Sequence, residues 1–447
     1  MSFRILILIF MSLLYTTSAS AAGWWNEAWT FRKPIKVTAS GFDAAALTAQ
    51  SEVGQIPELP ILVRLHAGNF GAFFMDAHEQ GNDIRFIAGD DKTALKYHIE
   101  KWDPLNNMAL IWVKVPIENT ATGPAGGEKI FMYYGNPQAP KGDDIGGSWD
   151  VNTVAVYHFE NEAGGVVQDR TAYGIHPDPA SYNVEANLAS LMGVGAKFNG
   201  KSIMNVPAAL PSAIDPTKGW TFSSWIKIPA AEAPATSTAP KEATNQEPMT
   251  LLFIQDGENL IKWTVEGTTT YASLTLADGQ VFETPRTAVV TPGAWKHVTL
   301  GVGDNRLTIF VDGKALSTVE APLIPMQAAM TIGADADGSN GLVAEIDEIS
   351  ISNVLRTPDW IKANANIQGP GSDVVAYGDD EDAGSSSTEA AYLLTILHSV
   401  DTIGWTDIGI IMLLGMAAML VVINKALLLK KVVRSNRKFI KAFKTLE

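Results

Sequence analysis

Leu307-Thr308-Ile309-Phe310-Val311-Asp312-Gly313 decides the fold. A run of β-forming residues ends at an Asp-Gly pair, the dipeptide that closes a two-residue hairpin. Upstream, Trp295-Lys296-His297-Val298-Thr299 leads into it, and Trp220-Thr221-Phe222-Ser223-Ser224-Trp225-Ile226-Lys227 supplies an earlier core strand. Downstream, Ile332-Gly333-Ala334 and Gly341-Leu342-Val343-Ala344-Glu345-Ile346-Asp347-Glu348-Ile349 read as closing strands. Ala155-Val156-Tyr157-His158-Phe159-Glu160, followed by Val167-Gln168-Asp169-Arg170, opens the set. Residues 148–376 therefore read as one antiparallel β-domain, with an Ala-, Pro-, Thr- and Glu-rich flexible insertion at 229–248.

Working outward, residues 23–147 alternate apolar and polar positions in short runs. Pro60-Ile61-Leu62-Val63-Arg64-Leu65 and Ala109-Leu110-Ile111-Trp112-Val113-Lys114-Val115 are two of them, separated by Gly, Asn and Pro. That pattern predicts a first antiparallel sandwich. The expected fold class is mainly β: two antiparallel β-sandwich domains, then one transmembrane α-helix and a basic cytoplasmic helix.

The two ends carry targeting signals. Arg4, the apolar run Ile5 to Leu14 and the small-residue stretch Thr16 to Ala22 predict a signal peptide over 1–22. After the sandwiches come an acidic, Ser-rich linker (377–389) and an amphipathic juxtamembrane segment (390–404). Ile408 to Ile423 then runs without a charge, which predicts a spanning helix over 405–429. Trp405 sits at its outer edge, and Lys425 reaches the interface along its own aliphatic stem. Lys430, Lys431, Arg434, Arg437, Lys438, Lys441 and Lys444 follow in a basic helix over 430–447, which the positive-inside rule places in the cytoplasm. Trp405, Lys425, Lys430 and Lys431 are the expected membrane anchors. The predicted location is a bacterial inner membrane, with the sandwiches in the periplasm.

Of the 447 residues, 46% are hydrophobic and 12 are Trp, a globular composition. Setting aside Arg4 and the eight basic residues of the tail, 24 basic residues face 47 acidic ones, so the exported part carries about −23. That charge excludes a nucleic-acid partner. The absence of cysteine excludes disulfides and thiolate chemistry.

Three resemblances attach to these residues. WWNEAWTFRKPIKV, LPILVRL, NDIRFIAGDDKTALKYHIEKWD, IWVKVP and IFMYYGNPQA resemble, in order, a bacterial surface-protein domain of unknown function. The strands of 148–376 resemble laminin G-like, concanavalin A-like jelly rolls, which implies that architecture for the second domain. GWTDIGIIMLLGMAAMLVVINKALLLKKVVRSNRKFIKAF resembles the first helix of the MotA/TolQ/ExbB proton-channel family. This last likeness implies energy-transducing biopolymer transport, a homo-oligomer and TonB- or TolR-like partners. That family places its pore-lining polar residues on later helices, so on this likeness the sequence as given reads as a truncated fragment, a split subunit or an unrelated anchor.

Candidate chemistry is sparse. Glu345-Ile346-Asp347-Glu348 was weighed against the carboxylate pair of jelly-roll glycan hydrolases. Strict alternation turns Glu348 away from Glu345 and Asp347 and leaves Ile349 at the next position on Glu348's opposite side, so no catalytic residues and no enzyme are expected. Asp335, Asp337 and Asn340 offer oxygen ligands at turn spacing to a calcium ion, although the same residues make turns. Asp169 and Asp347 are further calcium candidates. The seven histidines are scattered, none pairs with a carboxylate at metal-site spacing, and His297 reads as structural. Trp24, Trp25 and Trp29 offer either a sugar-stacking platform or a cap on the sandwich edge. Two functions follow: an inner-membrane subunit resembling MotA/TolQ/ExbB with a ligand- or glycan-recognition ectodomain, or a single-pass lectin-like adhesin without channel activity.

Overall fold

The computed structural model describes residues 24–38, 57–70, 73–117, 127–160, 165–230, 247–288, 291–383, 421–422, 424–434 and 436. The chain divides into two units, 1–383 and 384–447.

In the first unit the opening elements are β1 (Phe31–Thr38), β2 (Glu58–His66), the single-turn α1 (Phe73–Asp76), β3 (Arg85–Ala88), β4 (Ala94–Leu95), β5 (Tyr97–Asp103), β6 (Met108–Pro116) and β7 (Gly127–Tyr134). Next come β8 (Thr153–Tyr157), β9 (Glu185–Ala189), β10 (Val194–Asn199), β11 (Met204–Val206), β12 (Trp220–Lys227), β13 (Met249–Asp256), β14 (Asn259–Glu266) and β15 (Thr269–Thr275). The rest are β16 (Val281–Glu283), β17 (Thr287–Ala288), β18 (Lys296–Gly303), β19 (Arg306–Val311), β20 (Lys314–Glu320), β21 (Met330–Ile332), β22 (Val343–Ser352), α2 (Pro358–Gln368), β23 (Val375–Tyr377) and β24 (Glu381–Asp382).

Two sandwiches result, as the alternation predicts. In the second, an eight-stranded sheet in the order β20-β19-β18-β12-β22-β10-β9, with β8 also on β22, faces a seven-stranded sheet in the order β11-β21-β13-β14-β15-β16, with β17 on β15. Between them lie Tyr157, Trp220, Phe222, Trp263, Leu300, Ile309, Ile332 and Ile346, all buried. The turn after β19 has Asp312 at φ 47° and Gly313 at φ 74°, the paired left-handed residues that join tightly turned strands.

In the first sandwich the β23-β1-β7-β3-β4 sheet, with β24 also on β1, faces β2-β6-β5. Its core does not stop at the domain edge. Trp225, Phe310, Trp360 and Ile361 of the second sandwich and its flanking helix are buried in the same cluster as Leu62, Trp112 and Ile130.

Residues 377–383 are a correction to the linker expected over 377–389. β23 pairs with β1 through Ile35 and Tyr377, and β24 pairs with β1 through Arg32 and Glu381. The acidity that reads as a solvated linker neutralises buried cations: Glu381 lies 2.6 Å from Arg32 Nε, and Asp380 lies 2.9 Å from Lys33 Nζ.

The signal peptide, nearly all of the 229–248 insertion, the juxtamembrane segment and Trp405 lie outside the described residues. So does most of the 405–429 span. Among the described residues no helix is long and apolar enough to cross a membrane. In the second unit 424–434 is helical, and Lys425, Lys430 and Lys431 are exposed on it.

Candidate functional site

β22 carries the first departure that matters for chemistry. Glu348 has φ 53°, and the register between β12 and β22 shifts between Ser223 and Trp225, so β22 contains a bulge. Ile346 and Ile349 both point into the second sandwich's core, with two residues between them instead of one. Asp347 and Glu348 are both buried outside that core: Asp347 Oδ2 accepts from the Met192 backbone N–H at 2.9 Å, and Glu348 meets His158. This overturns the expectation that strict alternation separates Glu348 from Asp347.

Glu348 Oε1 lies 2.7 Å from Nδ1 of His158, just beyond β8. Glu100, from β5 of the other sandwich, places Oε2 3.9 Å from the same nitrogen. Donor atoms of Glu100, His158 and Glu348 all fall within 4.8 Å of one another, and all three side chains are buried. The expectation that no histidine joins a carboxylate is thereby corrected, because these partners are 58 and 190 positions apart in sequence and no local spacing records them.

The surroundings are aromatic. His98 stacks on His158 with ring centroids 5.4 Å apart, Trp112 stacks at 5.8 Å, and Trp149 packs at 5.8 Å. Trp112 Nε1 donates to Glu100 Oε2 at 2.7 Å, whereas Glu100 Oε1 and both His98 nitrogens are buried without a hydrogen-bond partner. Burial, and then repulsion from Glu348, push the Glu100 carboxyl up to about 8. Burial first and Glu160 second hold Glu348 well above the usual carboxylate range, and burial lowers His158 and His98.

Beside this cluster a cleft of about 430 Å³ opens between the two sandwiches. Glu100, Lys101 and Trp102 form its wall on one side; Glu160, Arg170, Asn187, Gly193 and Val194 form the other. Trp102 is anchored by Nε1 donating to the Glu79 carbonyl at 2.9 Å, with Gly81 packed so tightly on its ring that a Cβ there would lie 2.9 Å from it. Arg170 is paired with Glu160 at 2.8 Å. An indole wall beside an amide, carboxylates and a guanidinium joins an apolar plane to directional polar groups, the makeup of a small-molecule site.

Residues 203–362 match the concanavalin A-like lectin/glucanases superfamily. Residues 80–170, which supply His98, Glu100, Trp102, His158 and Arg170, match a domain of unknown function, DUF2341. The chain thus carries a concanavalin A-like domain, and both matches lie on the sandwiches. None of the curated proteins matches the chain. Similar solved structures include the botulinum neurotoxin serotype G binding domain, at 12% identity and TM-score 0.41, covering 48% of this chain and 51% of that one. The binding domain of Paraclostridial Mosquitocidal Protein 1 is similar at 12% identity and TM-score 0.39, covering 48% and 52%. The chain spans about half the length of these structures.

The candidates singled out in the sequence sit elsewhere. Trp29 is buried with Ile87, Phe131 and Tyr133, and its Nε1 donates to the Asp83 carbonyl. Trp24 and Trp25 are half-buried against that cluster, and the Arg32 guanidinium lies 4.7 Å from the Trp24 ring. The three tryptophans thus cover the outer face of the first sandwich, away from the Glu100 cleft.

In the loop weighed for calcium, Lys262 Nζ lies 2.8 Å from Asp335, Thr250 Oγ1 donates to Asp335 at 2.6 Å, and the Asn340 amide nitrogen donates to it at 2.6 Å. Asp337 accepts from Ser339. Asp335 is thus ion-paired with Lys262 and hydrogen-bonded within its loop. Asp169 accepts from the backbone of Val156, Thr171 and Ile175, which fixes the loop after β8. His297 is buried against Trp225, in keeping with a structural place.

The sequence reading does not single out Glu100, Trp102 or His158, and it turns Glu348 away from the other carboxylates. One signal was present in KYHIEKWD and YHFE: charged residues alternate with apolar ones inside runs too hydrophobic to face solvent.

Proposed function

We propose that this chain is a single-pass, membrane-anchored, lectin-like protein whose exported sandwiches bind a glycan without turning it over. The observation that carries the reading is the cleft between the sandwiches, where Trp102 stands opposite Asn187, Glu160 and Arg170. A pyranose presents an apolar face to an indole and a rim of hydroxyls to amide, carboxylate and guanidinium groups. The concanavalin A-like match supports the same class. Both family matches fall on the sandwiches and neither reaches the basic tail, which favours a tether over an energy-coupled channel subunit. The anchor rests on the uncharged run Ile408 to Ile423 and the lysines after it.

The test is a glycan array probed with the full-length chain in detergent, followed by titration of the best hit. Binding that weakens about tenfold or more in Trp102→Ala, with an unchanged melting midpoint, supports the reading. Absence of any glycan hit, or a hit indifferent to Trp102→Ala, rejects it.

A further inference from the structure

We infer that Glu100, His158 and Glu348 form a binding site for one divalent transition-metal ion of the zinc class, held between the two sandwiches. The inference is independent of the glycan reading. It starts from composition: one imidazole nitrogen and two carboxylates suit zinc or manganese, while calcium and magnesium take oxygen donors throughout.

Geometry agrees with that donor set. Bonds of about 2.0–2.1 Å in a tetrahedral site put neighbouring donors roughly 3.3 Å apart. His158 Nδ1 stands 2.7 Å from Glu348 Oε1 and 3.9 Å from Glu100 Oε2, two separations that bracket the required spacing. A hydrogen bond alone accounts for the 2.7 Å contact. It leaves Glu100 turned toward the same nitrogen with no proton to share.

A second, separate observation is the unpartnered oxygen. Glu100 is buried, and its Oε1 makes no hydrogen bond. Natural cores almost never strand a carboxylate oxygen, because its desolvation is costly when nothing replaces the water. Ionised together, two buried carboxylates beside one imidazole would carry an excess of negative charge that a divalent ion neutralises. Trp112, donating to Glu100 Oε2, is the outer partner that would hold that ligand's orientation.

Glu100 and Gly193 both line the cleft, and a Cβ on Gly193 would lie 2.6 Å from Glu100 Oε1, so glycine leaves room beside that oxygen on the cleft side. Because Glu100 belongs to one sandwich and His158 and Glu348 to the other, the ion would tie the two together.

The experiment uses the full-length chain in detergent, stripped with chelator and titrated with Zn²⁺. One equivalent bound per chain, with the melting midpoint rising by roughly 4 °C or more, is expected. Glu100→Gln should bind at least about a hundredfold more weakly and lose the midpoint rise. Its metal-free midpoint, measured at alkaline pH where the parent carboxylate ionises, should equal or exceed the parent's, since the neutral amide buries no charge. Glu348→Gln should repeat the loss of binding, whereas Glu345→Gln, on the same strand but paired with Lys227, should bind as the parent does. A stripped parent chain that takes up no Zn²⁺, or Glu100→Gln and Glu348→Gln chains that bind it unchanged, would overturn the inference.

Discussion

His297 shows how a single buried side chain sets a pH dependence. Neither of its ring nitrogens has a hydrogen-bond partner, and burial pushes it down to about 4, with Asp312 acting weakly the other way. A histidine with a folded pKa below its unfolded one stabilises the fold fully above about 6.5, and that contribution is lost as pH falls from there through 4, because the unfolded chain takes up the proton first. His98 and His158 act in the same sense, whereas Glu100 and Glu348, raised by burial, favour the fold at acid pH. The raw stability curve therefore mixes signs, and the variant-minus-parent difference isolates one group. His297→Leu is expected to become more favourable relative to the parent as pH is lowered from 7.5 to 5, measured by denaturant midpoint at each pH. A difference that stays flat with pH would show that His297 is not buried neutral.

At the scale of elements, turns and strand ends hold the second sandwich in register. Gly333, just after β21, has φ 93°, and a Cβ there would fall 2.3 Å from the Phe198 ring. Gly333→Ala combines a backbone strain with overpacking of β10 and should cost about 3 kcal/mol by chemical denaturation. A loss under about 1 kcal/mol would mean that Phe198 has room to move. Before α2, Arg356 makes two 2.6 Å bonds to Asp150 and lies 4.2 Å from the Trp360 ring. It thereby fixes the start of the second sandwich to the helix that packs on the first. The Arg356 guanidinium holds the Asp150 carboxyl below its ordinary range despite burial. Arg356→Ala strands that carboxylate and should cost about 3–5 kcal/mol, whereas Arg356→Ala with Asp150→Ala should recover part of the loss.

The first unit is two sandwiches packed through one buried apolar seam. Trp225 and Phe310, on the outer face of the second sandwich's larger sheet, share a core with Trp112 and Ile61, and β23 and β24 return the chain to β1. Calorimetry on the full chain should therefore show the two sandwiches unfolding in a single transition; two resolved transitions would contradict the shared core. Asp380→Asn with Glu381→Gln removes the charges that face the buried Lys33 and Arg32 and should lower stability by about 2 kcal/mol, a figure reduced because both acids are partly exposed.

The sequence alone determined several of the core strands, where the Asp312-Gly313 hairpin turns, and that the chain divides into two β-rich regions before an apolar run. Those features are local, since the period-two alternation and turn chemistry are carried by neighbouring residues. The concanavalin A-like character is expected over 148–376 from a resemblance to that family, and 203–362 match that superfamily. Tertiary structure alone decided the meeting of Glu100, His158 and Glu348, because a bulge at Glu348 breaks the alternation from which its facing was read, and because the partners stand on different sandwiches. It also turned Asp380 and Glu381 from linker residues into counter-ions, since a charge is solvated or paired according to what folding brings beside it.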